Sequence, residues 1–106
     1  MSGTETDLLV EAVSRQDPGR VFLQVVVPEA LDLQHIYRAA LSIYWEPAAQ
    51  ELQDRYLDER SSLASAERMA RALREEYGIV LKPSPGMLWI GFDEETRAEV
   101  ASALFR

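Results

Sequence analysis

The sequence predicts an α+β fold: a two-layer sandwich with a mainly antiparallel sheet of three or four strands, packed by about four helices in the order (β)β-α-α-α-β-β-α. Three observations predict it. Residues 20–27 are a run of β-branched and aromatic side chains closed by Pro28. Residues 32–77 place apolar side chains at helical spacing. Two short apolar runs, 79–81 and 87–92, flank a proline- and glycine-rich connection.

Residues 8–15 fit either period. Leu9, Ala12 and Val13 suit a short helix, whereas Leu8, Val10 and Ala12 suit one face of a strand. The following Asp17-Pro18-Gly19 is a turn signal, since Pro presets φ and Gly accepts positive φ, and it favours a hairpin with the next strand. That strand has apolar residues on both faces: Val21, Leu23, Val25 and Val27 on one, Phe22 and Val26 on the other.

Asp32 suits the N-cap of a helix through about Trp45, with Leu33, Ile36, Tyr37, Ala40, Leu41 and Tyr44 as its apolar stripe. Pro47 suits the first turn of a second helix through about Asp58, burying Ala48, Leu52 and Tyr56. A third helix is expected from about Ser62 to Tyr77. Its core stripe is Ala66, Met69, Ala70, Leu73 and Tyr77, and Gly78 follows its end. Ile79-Val80-Leu81 and Met87-Leu88-Trp89-Ile90-Gly91-Phe92 should pair as a hairpin across Pro83-Ser84-Pro85-Gly86. Asp93 then caps a last helix, which buries Val100, Ala101, Leu104 and Phe105.

Composition bounds the chemistry. The 106 residues suit one domain, 1–106, with residues 1–6 expected to be flexible. There is no Cys, no Asn, one His (His35) and one Lys (Lys82), which removes thiol chemistry, disulfides and His clusters. The net charge of −7 disfavours nucleic acid and anionic membranes. No apolar run is long enough to span a bilayer, and the first residues lack the basic start of a signal peptide; a soluble, cytoplasmic protein is expected. Ten of the eleven basic residues are Arg, which fits a G+C-rich or heat-adapted source.

The candidate sites have plain structural alternatives. His35 lies opposite the apolar stripe and reads as a solvated surface residue. Lys82 would need a desolvating pocket to act as a nucleophile, and it reads instead as an edge guard. Asp93, Glu94, Glu95 and Glu99 could gather an oxygen-ligated cation, but helix capping already accounts for three of them. Glu51, Asp54 and Asp58 read as one solvated helix face. Arg68, Arg71 and Arg74 could meet phosphate, but Glu67, Glu75 and Glu76 interleave with them. Residues 83–86 lack the pattern of a phosphate loop. No catalytic, cofactor-binding or metal-ligating residue is assigned, and no cofactor is expected.

Residues 21–32, and the passage from Leu73 through Pro83 followed by Gly86 through Glu95, resemble elements of the small domain of pyridoxal-phosphate aminotransferases. The resemblance covers the order of elements in about half the chain and implies an α+β sheet. Trp89 stands where those enzymes commonly carry a substrate-binding Arg, and the large cofactor domain has no counterpart, so no activity is carried across.

What remains is an interface. A two-layer domain leaves one sheet face uncovered unless its helices divide between the faces. Phe22, Val26, Met87 and Trp89 are the residues expected on such an apolar patch. The expected function is protein–protein association by a homodimeric, non-enzymatic regulatory or adaptor-like module. The alternatives are an acidic inhibitor or antitoxin-like binder of a basic partner, and a small enzyme or metal binder using His35 or the Glu94/Glu95/Glu99 group.

Overall fold

The computed structural model describes residues 6–105; the expectation of a flexible 1–6 falls almost wholly outside them. The class is α+β, as expected, but the sheet is mixed and holds five strands among the described residues, with two α-helices rather than four. The strands are β1 (Thr6–Gln16), β2 (Arg20–Val26), β3 (Ile43–Glu46), β4 (Glu51–Asp54) and β5 (Ile79–Ile90), and the helices are α1 (Ser62–Tyr77) and α2 (Glu94–Leu104). Across the sheet the order is β3-β4-β2-β1-β5.

Residues 8–15 are strand. β1 and β2 form the hairpin that the Asp17-Pro18-Gly19 turn implied, with Gln16 opposite Arg20. Two arginines brace that turn: Arg15 donates to the Pro18 carbonyl at 2.6 Å and Arg20 to the Asp17 carbonyl at 2.9 Å. β1 bulges at Glu11, since Val10 pairs with Val25 and Ala12 with Gln24.

The helices expected over 32–45 and 47–58 are not formed. Asp32 caps a turn instead, its Oδ1 accepting from the Gln34 N–H at 3.0 Å, and only Ile36–Arg38 makes a 3₁₀ turn. Ile43–Glu46 and Glu51–Asp54 are strands, with Ile43, Trp45, Leu52 and Asp54 buried in alternation. The physical reason lies in the sheet. The edge of β2 opposite β1 offers unpaired backbone groups, and β4 takes them through Phe22↔Gln53 and Gln24↔Glu51. Leu41, which the helical stripe would bury, is 91% exposed.

α1 matches its expected bounds because its signals are local. The Ser61 Oγ accepts from the Ala64 N–H, and Gly78 takes φ 66 past the last turn. α2 begins at Asp93 as expected, with the Asp93 Oδ1 accepting from Thr96 at 2.7 Å.

Residues 79–90 do not fold back as a hairpin. They run as one strand parallel to β1, Thr6↔Ile79 through Val10↔Pro83 and then Ala12↔Leu88 through Ser14↔Ile90. Residues 84–87 step aside opposite Glu11, and Gly86 at φ 74 allows the detour. The eleven residues of β1 are long enough to pair both halves in line, so each half gains a partner without a reversal.

Leu8, Val10, Val13, Val21, Leu23 and Val25 line the helix side of the sheet. They share one core with Ala66, Met69 and Leu73 of α1 and with Val100 and Leu104 of α2. Both helices therefore cover the same face.

Candidate functional site

The opposite face of the sheet is open, and the strand registers resolve it into cross-strand rows. One row runs Tyr44–Gln53–Phe22–Ser14–Ile90, and the next runs Glu46–Glu51–Gln24–Ala12–Leu88. A third, shorter row is Val26–Leu9–Lys82. Leu88 is 60% exposed and Ile90 53%, with Leu9, Val26 and Tyr44 exposed beside them and Phe22 half-buried. Arg20 lies over the Phe22 ring at 5.8 Å, and Arg55 over Tyr44 at 3.6 Å.

Of the four residues expected at an interface, Phe22 and Val26 lie on this face. Met87 and Trp89 do not, which corrects that expectation. Trp89 pairs in register with Val13, a core residue, and so points to the helix side. There it meets Phe92 edge-on at 5.4 Å and lies under Arg97, and with Met87, Ala101 and Phe105 it lines a shallow groove against α2. Leu88 and Ile90, the other parity of the same strand, take the open side. Which parity of β5 faces the helices is set by its pairing with β1, which the spacing of residues within β5 does not encode.

The carboxylates of the middle segment are not a solvated helix face. Asp54, fully buried, accepts from the Ser65 Oγ at 2.6 Å and the Tyr56 N–H at 3.0 Å. The Arg68 guanidinium bridges Asp54 to Glu59 and lies 5.5 Å from the Tyr56 ring centroid. Ser65 in turn accepts from the Val21 N–H at 2.9 Å. Burial acts to raise the Glu59 pKa. Hydrogen bonds from Arg68 and the Ser61 N–H, with the guanidinium charge, outweigh it and hold the carboxyl below its ordinary value. Every oxygen of Asp54, Glu59 and the Ser65 hydroxyl has its partner within the protein, so the cluster ties β4 and the start of α1 to β2. Arg71 and Arg74, by contrast, are exposed.

The other candidates are separate from one another. His35 is half-buried rather than exposed; its backbone N–H donates to the Tyr77 hydroxyl, whose pKa burial pushes up. Lys82 is exposed within an edge strand. Asp93 is held below the ordinary carboxylate value by its capping bonds from Thr96. Among the described residues, no three His, Asp or Glu side chains gather where they could hold a metal ion. A cleft of about 450 Å³ lies between the starts of α1 and α2, and Arg15 and Arg60 share its walls with Asp93 and Glu99. Among the described residues, no helix is long and apolar enough to cross a membrane.

The chain matches no protein-family model, no curated protein and no solved structure.

Proposed function

We propose that this chain works by protein–protein association, as a homodimeric regulatory or adaptor-like module whose contact surface is the open sheet face. The observation that carries the reading is the placement of both helices on one side. This leaves Leu9, Val26, Leu88 and Ile90 in solvent on the other. Exposed apolar side chains clustered in register on one face mark an interaction surface, whereas scattered ones would not. The net charge of −7 fits a protein partner better than nucleic acid.

The test is the solution mass by light scattering after size exclusion, over a dilution series and two salt concentrations. Twice the monomer mass, insensitive to salt and abolished by Leu88→Asp, is the expected result. A monomer at every concentration removes the homodimer.

A further inference from the structure

Between Arg55 and Ser61 the chain has one buried residue, and it is charged. Glu59 is 7% exposed, whereas Tyr56, Leu57, Asp58 and Arg60 are in solvent. The segment has no apolar anchor in the core. Its two ends are fixed: the Arg55 N–H donates to the Ser42 carbonyl at 2.7 Å, and the Arg60 backbone packs against Gly19. Between them the Glu59 N–H closes a turn on the Tyr56 carbonyl at 3.1 Å. The Glu59 carboxylate accepts from the Ser61 N–H at 2.9 Å and from Arg68.

The Arg68 guanidinium is shared unevenly. Its Nη1 holds Asp54, which is fully buried and also accepts from the Ser65 Oγ and the Tyr56 N–H. Its Nη2 holds Glu59. We infer that residues 56–59 are a strap latched by the Glu59 carboxylate, and that acid releases this strap while Asp54 keeps its hold on Arg68. Release turns one arm of the guanidinium to water.

The surrounding charges and the burial pattern both support a local release. The charges facing Glu59 are Arg68 from α1 and, across that guanidinium, Asp54 from β4. Tyr56 lies beside Arg68, and Asp58 and Arg60 flank Glu59 in solvent. The β1–β2 turn, packed against Arg60, keeps its charges to itself: Arg15 meets Asp17 and the Pro18 carbonyl, and Arg20 the Asp17 carbonyl. Burial disfavours the Glu59 charge, but the bonds from Arg68 and Ser61 outweigh it, so the carboxyl titrates below its ordinary 4.5. Once protonated, it gives Arg68 no charge to hold. Opening residues 56–59 then uncovers no buried apolar side chain, whereas opening β3 and β4 would uncover Ile43, Trp45 and Leu52. Segments with few buried apolar contacts open first.

Amide hydrogen exchange read by NMR tests this at one pH above 4.5 and one about a unit below it, each rate divided by its intrinsic rate at that pH. The Glu59 and Ser61 N–H groups report the strap, and the Val21 N–H, which donates to Ser65, reports the Asp54 side. Hydrogen bonds to a charged group are strong enough that losing one should raise opening about tenfold. Glu59 and Ser61 should therefore lose about tenfold in protection at the lower pH, while Val21 keeps its own. In Glu59→Gln, the Ser61 amide should be weakly protected at both pH values. Strap amides that keep their protection at the lower pH overturn the latch. Equal loss at Val21 makes the change a wider unfolding and overturns the strap as a separate unit. A pH step that survives in Glu59→Gln puts the latch on another group and overturns the assignment.

Discussion

The Ser65 hydroxyl joins two strands through one helix: it donates to the Asp54 carboxylate on β4 at 2.6 Å and accepts from the Val21 N–H on β2 at 2.9 Å. Both partners are buried. Ser65→Ala leaves the buried Val21 N–H unmatched and removes one of the three hydrogen bonds to Asp54, which costs about 1–3 kcal/mol. The urea midpoint, read by circular dichroism, should fall accordingly with no change in slope.

Arg68→Met removes the guanidinium that reaches both Asp54 and Glu59. The Asp54 side chain is fully buried, so its charge is left without a counter-ion. Breaking a buried pair in this way costs about 3–5 kcal/mol. Arg68 is itself a quarter exposed, which places the expected loss at about 3 kcal/mol by urea unfolding.

Glu59 gives the cluster a pH signature. Its folded pKa lies below the ordinary value of 4.5 because Arg68 and the Ser61 N–H stabilise the carboxylate against the cost of burial. A depressed carboxyl contributes stability that is fully present above the unfolded pKa and lost as pH falls through the folded one. Unfolding free energy should therefore drop as pH is taken below about 4.5. The drop should be shallower in Glu59→Gln. Equal slopes in the two proteins would show that Glu59 does not carry it.

How much of this was legible follows from where each signal resides. α1 could be read to the residue because Ser61 and Gly78 act on their own turns. β3 and β4 could not. Leu33 and Ile36 are buried either way, and what makes Ile43–Glu46 and Glu51–Asp54 strands is the free edge of β2, some thirty residues earlier. The open face was half legible. Phe22 and Val26 sit in a strand of one uninterrupted parity. The parity of Met87 through Ile90 is set by pairing with β1 after the detour at residues 84–87, a non-local choice that no spacing rule within β5 encodes.

Gly19 is required by proximity. A Cβ built on it would lie 2.4 Å from the Arg60 carbonyl carbon, and its own carbonyl accepts from the Ser62 Oγ at 3.1 Å. The β1–β2 turn and the segment entering α1 are thus in backbone contact. Gly19→Ala must push them apart, at a cost of about 1–3 kcal/mol. Gly86→Ala is the control: its Cβ would meet nothing within 4 Å, although φ 74 adds strain. Thermal unfolding should rank Gly19→Ala as the less stable of the two.

Leu88 and Trp89 are neighbours that the structure puts on opposite sides of the sheet, and one pair of substitutions separates folding from association. Leu88 is 60% exposed on the open face, so Leu88→Asp should leave monomer stability within about 0.5 kcal/mol of wild type. It should also abolish the dimer, because a charge then sits on the open face where the partner would dock. Trp89→Asp acts on the helix side, where the indole meets Phe92 and Arg97. Losing that packing and placing a carboxylate there should cost about 2 kcal/mol. Urea unfolding must be run at a dilution where wild type is monomeric, since association would otherwise add to its apparent stability. Light scattering on the same samples at high concentration reads the dimer. A Leu88→Asp protein that unfolds easily, beside a Trp89→Asp protein that does not, would mean the two side chains had been assigned to the wrong faces.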